Sequence, residues 1–140
     1  MLDKTPFYAL SGGQVGDSGV IKSGDNAFIV ADTTKNAEGI FLHSGNVARG
    51  IISVGDSVKA SINAERRNSI MRNHTAAHLL QAALRRVLGT HVEQAGQLVN
   101  ATEVRFDFTH FNPLTTEEIK MVELLVNDFI LKSVPVTMTE

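Results

Sequence analysis

From Ala64 to Leu88 the chain contains neither glycine nor proline, whereas the sixty or so residues before it are broken by glycine at short intervals. That contrast constrains the fold more than any other feature. An unbroken stretch of helix-compatible residues propagates one helix of about 25 residues, and its ends are marked. Asn63 can cap the first free amides, and Gly89 can take the left-handed conformation after the last turn. Upstream, from Phe7 to about Asn63, the brief apolar runs "GVI", "AFIVADT", "GIFLHSGNV" and "DSVKASIN" read as short strands of a small β-barrel or meander. Gly24-Asp25-Asn26, Asn36-Ala37-Glu38-Gly39 and Gly55-Asp56 supply turn residues that tolerate positive φ.

After Gly89 the period changes again. In "TEVRFDF", Val104, Phe106 and Phe108 alternate with Arg105 and Asp107, as on a strand with one apolar face, and Asn100-Ala101 is placed to turn a hairpin. Beyond Pro113, "TTEE" has the form of a capping box, with Thr115 as the cap and Glu118 reaching back. The helix it opens runs to about Lys132. Its Ile119, Val122, Leu125, Val126, Phe129 and Ile130 recur at three- and four-residue steps and offer one face to a sheet. "SVPVTMT" then reads as the beginning of a strand, barely started at Glu140, which suggests a larger fold. The expected class is α+β: a small N-terminal β-barrel over residues 1–62, then over 63–140 the first part of a two-layer domain with two helices packed on a sheet.

Composition narrows the functional classes. At 140 residues and 43% hydrophobic content the chain can bury a core. No run approaches the roughly 18 apolar residues that cross a bilayer, and "MLDKTPFYAL" lacks a basic start followed by an apolar stretch, so a cytoplasmic protein without a membrane partner is expected. With no cysteine, any metal must be held by His, Asp, Glu or water. A net charge of −2 argues against binding nucleic acid by bulk electrostatics but allows a local basic stripe, and Arg66, Arg67, Arg72, Arg85 and Arg86 cluster on the long helix.

Within that helix lies "RNHTAAHLL". At about 100° per residue His74 and His78 are roughly 40° apart and one turn apart, so they can converge on one ion. They sit at the rim of an apolar arc that includes Ile70, Ala76, Leu80, Ala83 and Leu84. The spacing also suits two imidazoles that merely pack and hydrogen-bond. It is not the H-E-x-x-H protease signature, because Thr75 follows His74. His43, His91 and His110 are the available third ligands, each of a kind that more often serves as a surface or hydrogen-bonding residue. A second peculiar stretch is "TPFYALSGGQVGDSG". Gly12 and Gly13 let a backbone approach another molecule, or form a tight turn, and Gln14 offers both donor and acceptor. It lacks the G-K-[ST] ending of a phosphate loop.

Taken together, "LDKTPFYALSGGQVGDSG" and "RNHTAAHLLQAALRRVLGTHVEQAGQLVNATEVRFDF" resemble the internal editing region of alanyl-tRNA synthetases, in that family's order and approximate separation. Related free-standing deacylases and the editing domain of threonyl-tRNA synthetase share the histidine motif, but "LGTHVEQAGQLV" and "RFDF" favour the alanyl enzyme. The resemblance implies hydrolysis of serine or glycine wrongly esterified to tRNA(Ala), with the tRNA acceptor end as partner. It implies zinc held by His74 and His78 together with a later C-x-x-x-H pair beyond Glu140. It places Gln94 and Ala77 at the editing pocket, and Ser11, Gly12, Gly13 and Gln14 near the aminoacyl end of the tRNA; Arg72, on the arginine-rich rim that flanks the proposed site, is expected to face the same acceptor end. The catalytic group is left unassigned. The parent enzyme would use ATP and magnesium in a core elsewhere in the synthetase chain. Leu10 stands where the family usually has Glu, and Ala77 where it usually has Thr. A non-catalytic tRNA-binding module and a free-standing trans-editing deacylase are the alternative readings.

Overall fold

The computed structural model describes residues 1–135 and is α+β, with two antiparallel sheets and two helices. The first sheet contains β1 (Gly19–Ser23), β2 (Asn26–Lys35), β3 (Phe41–Arg49) and β4 (Lys59–Ile62), hydrogen-bonded in the order β3-β2-β1-β4. Its turns fall where glycine, asparagine and aspartate were expected to make them. Gly24 takes a positive φ between β1 and β2, and the Asn36 side chain accepts from the amides of Glu38 and Ile40 before β3. Phe7, Ile21 and Val30 form the core of this sheet, flanked by Leu2, Phe28, Val58, Ala60 and Ile62. A register shift between Val30 and Asp32 turns Thr33 inward, where its buried hydroxyl donates to the Asp17 carbonyl at 2.9 Å.

Helix α1 spans Ala64–Leu88, and the Asn63 side chain accepts from the Arg66 amide at its start. Gly89 ends it in a different way from the one expected. With φ 117° and ψ 166° it lies in the extended positive-φ region rather than the left-handed helical one, while its amide still closes on the Arg85 carbonyl at 3.1 Å. Only glycine occupies that region readily, so the residue type was legible although the conformation was not.

The second sheet is the hairpin of β5 (Gln94–Val99) and β6 (Val104–Phe108), turned by residues 100–103, where Asn100 Oδ1 accepts from the Thr102 and Glu103 amides. Helix α2 (Thr116–Lys132) opens with the expected capping box, whose Thr115 donors hold the Glu118 carboxyl below the usual carboxylate range. Val122 is buried with Ala83, Leu84 and Val92, and Phe106, Phe108, Leu125 and Val126 pack around them, so α1 lies against the hairpin and α2 packs on α1. Ile119, Phe129 and Ile130, the rest of the expected face, are largely exposed. A third cluster of Ile70, Ala77 and Val99 joins α1 to β5 and reaches Val15. The strand expected in "SVPVTMT" falls mostly on residues 136–140, outside the described residues.

His43 on β3 gives the first sheet a pH dependence. Its Nε2 is 2.8 Å from the Thr5 hydroxyl, the Phe7 ring meets it edge-on, and its buried Nδ1 has no partner among the described residues. Burial, and then the positive N-terminus, push its pKa below the ordinary 6.5. A folded state that binds fewer protons than the unfolded one gains stability as pH rises. The contribution is therefore complete above the unfolded pKa and is lost as pH falls through the folded one. The urea midpoint is expected to fall between about pH 7.5 and about pH 5.5, and His43→Gln to reduce that fall. An identical fall in wild type and variant would contradict the assignment.

Candidate functional site

Along α1 the i, i+4 spacing sets the His74 and His78 rings parallel, 4° from coplanar orientation, with centroids 5.3 Å apart. His78 faces solvent, whereas His74 is half-buried. Burial, and then the neighbouring charge of His78, lower the His74 pKa, which favours the neutral imidazole, the form able to ligate a metal. Among the described residues no third histidine, aspartate or glutamate joins the pair in a metal-binding group. His43 belongs to the first sheet. His91 and His110 face each other instead, with Nε2 to Nδ1 at 2.9 Å and Phe111 stacked beside His91.

The glycine loop comes to this helix from the other end of the sequence. Ser11 and Gln14 exchange backbone hydrogen bonds of 3.1 and 3.0 Å around Gly12 and Gly13, whose φ values of 58° and 77° give the two positive-φ residues of a two-residue hairpin turn. The turn is fastened to β5. The Val99 amide donates to the Gly13 carbonyl at 2.8 Å and the Val15 amide to the Val99 carbonyl at 3.0 Å, while the Gln97 side chain donates to the Gly12 carbonyl. This seating buries Gln14 to 6% exposure and sets its Oε1 2.6 Å from His74 Nδ1.

The two glycines have different duties. A Cβ on Gly12 would meet nothing within 4 Å, but one on Gly13 would lie 2.6 Å from the Gln97 carbonyl oxygen and against its side chain. Gly12→Ala is therefore expected to cost about 1 kcal/mol for its backbone conformation alone. Gly13→Ala should cost about 2–3 kcal/mol, because the loop must also lift from β5. Urea unfolding of the two variants checks this, and equal losses would contradict the close approach.

Sequence reasoning missed what anchors the loop's other end. Asp17, 1% exposed, is paired with Arg67 of α1, whose Nε lies 2.8 and 2.9 Å from its two oxygens, and it also accepts from the Tyr8 amide at 2.7 Å. Arg66 donates to the Gly16 carbonyl at 2.8 Å, so two of the clustered arginines serve the joint between sheet and helix. The Arg72 side chain, by contrast, is exposed and among the described residues bonds only to the Ser69 hydroxyl, and Arg85 and Arg86 are exposed in the last turn. Of the remaining expected site residues, Ser11 and Gly12 are exposed at the turn and Gln94 is exposed at the start of β5. Ala77 is buried between α1 and β5, against Ile70 and Val99.

Residues 1–66 match the family of class II (A) tRNA synthetases. The chain is 53% identical over 136 residues to the alanine-tRNA ligase of Fervidobacterium nodosum, covering 97% of this chain and 16% of that enzyme. It is 51% identical over all 140 residues to the alanine-tRNA ligase of Dichelobacter nodosus and 52% identical over 140 residues to that of Acetivibrio thermocellus, again 16% of each enzyme. The chain thus spans about one sixth of the length of the curated relatives it matches. With half of its residues identical across nearly the whole of its length, this chain belongs to the alanine-tRNA ligase family.

Proposed function

We propose that this chain is the editing segment of an alanyl-tRNA synthetase, which hydrolyses seryl- or glycyl-tRNA(Ala). The parent enzyme joins alanine to tRNA(Ala) with ATP and magnesium in a part of the chain outside this one. The observation that carries the reading is the convergence of the glycine turn on the half-buried member of an i, i+4 histidine pair. Residues 1–62 form one unit of that segment and 63–140 the other, with Ser11, Gly12, Gly13 and the exposed Arg72 directed toward the acceptor end of the tRNA. Gln94 and Ala77 belong to the same pocket.

Zinc fits this donor set as half of a site. Two imidazoles one turn apart on a rim supply two of four tetrahedral positions, and the family resemblance puts a Cys-x-x-x-His pair at the other two. When bound, zinc supplies a Lewis acid for the ester or its attacking water. The residues of this chain hold and orient it and position the acceptor end.

The test is hydrolysis of seryl-tRNA(Ala) by the enzyme that contains this segment, before and after metal removal. Hydrolysis should disappear on chelation and return with zinc. The 140-residue chain, whose three apolar clusters contain no metal ligand, should keep its urea midpoint in chelator. Hydrolysis that persists after zinc is removed would sink the metal assignment.

A further inference from the structure

We propose that Gln14 is a positioning residue that fixes His74 as the Nδ1–H tautomer and so directs Nε2 outward as the donor nitrogen of the site. A neutral imidazole has one protonated and one bare nitrogen, and the group facing one nitrogen decides the state of the other. Gln14 Oε1 lies 2.6 Å from His74 Nδ1. A carbonyl oxygen can only accept, so the proton must sit on Nδ1 and Nε2 is left with its lone pair. A reversed amide would do the opposite, protonating Nε2 and closing the site to a cation.

The scaffold behind Gln14 has the rigidity that this task needs. Its amide and carbonyl are both bonded to Ser11, the residues on either side are bonded to Val99, and its side chain is enclosed. A flexible glutamine would be a poor director of tautomers, whereas this one is held from two directions by a turn that requires Gly12 and Gly13. The arrangement also gives the sequence motif a purpose separate from contact with tRNA. The two glycines are the means by which an oxygen carried 60 residues before His74 is presented to its ring. Among the described residues His78 has no corresponding hydrogen bond, so the control falls on the less exposed histidine.

The consequence for metal binding rests on the reading of His74 as a ligand, and the experiment separates the two. Long-range proton–nitrogen spectra of the 15N-labelled 140-residue chain at neutral pH report the His74 tautomer without any metal. Nδ1–H is expected in the wild type. Gln14→Met, which keeps length but removes the acceptor, should move His74 toward Nε2–H, and Gln14→Glu, which keeps an acceptor, should leave it Nδ1–H. In a parallel zinc titration of the enzyme that contains this segment, the Met variant should bind about 10- to 100-fold more weakly than wild type, and the Glu variant should not. An Nε2–H tautomer in the wild type overturns the proposal even if the Met variant fails to fold, as does an unchanged tautomer in a folded Met variant. A tautomer that shifts as expected with no change in zinc affinity upholds the role of Gln14 and removes His74 from the metal site.

Discussion

Replacing Arg67 with leucine is expected to destabilise the chain by about 3–5 kcal/mol, the usual loss when one partner of a buried ion pair is removed. Asp17 is 1% exposed and Arg67 is the only cation that reaches it among the described residues. The hydrogen bonds to Asp17 raise the Arg67 pKa further, so the guanidinium keeps its charge. Without the guanidinium, the carboxylate keeps the Tyr8 amide but loses three charge-assisted bonds in a site closed to water. The effect should reach beyond Asp17, because the same pair ties the first sheet to α1 and its partner Tyr8 leads directly into the glycine turn. Asp17→Asn combined with Arg67→Leu should recover much of the loss, since a neutral amide still accepts from Tyr8 and no charge is stranded. Urea unfolding of the single and double variants measures this. A loss below about 1 kcal/mol in Arg67→Leu would show that the pair contributes little.

Much of this architecture could be read locally. Both helices start where their caps placed them, at Asn63 and Thr115, and the first stops at Leu88 before its expected glycine, because capping depends on chemistry within a few residues. The alternation of Val104, Phe106 and Phe108 likewise gave the face of β6 that packs inward. What stayed hidden depends on distance along the chain. Asp17 and Arg67 are fifty residues apart, and nothing in "VGDSG" or in "AERR" says that they meet. An acid flanked by glycines beside a buried strand was the one available signal. Gln97 was missed for the same reason, since its role exists only once the turn lies on β5. The histidines were legible as a pair but not as a site. The spacing set their rings side by side, whereas the Gln14 contact to His74 required the fold. The clustered arginines looked alike in sequence and differ in structure, because Arg66 and Arg67 fall where the sheet backbone runs past the first turn of α1, and Arg72 does not.

The most direct test of the central claim is the rate of seryl-tRNA(Ala) hydrolysis by the enzyme that contains this segment, measured for wild type, His74→Ala, His78→Ala and the double variant, with alanylation of tRNA(Ala) followed in parallel. Removal of a ligand that helps hold a Lewis acid forfeits several kcal/mol of transition-state stabilisation, so each single variant should hydrolyse at least about 100-fold more slowly. The double variant should be little worse than either single, because the two imidazoles act as one unit. Alanylation should be unchanged if, as proposed, the aminoacylation core lies outside this chain. Hydrolysis that persists in the double variant, or that falls only in step with alanylation, would contradict the assignment of these histidines to an editing site.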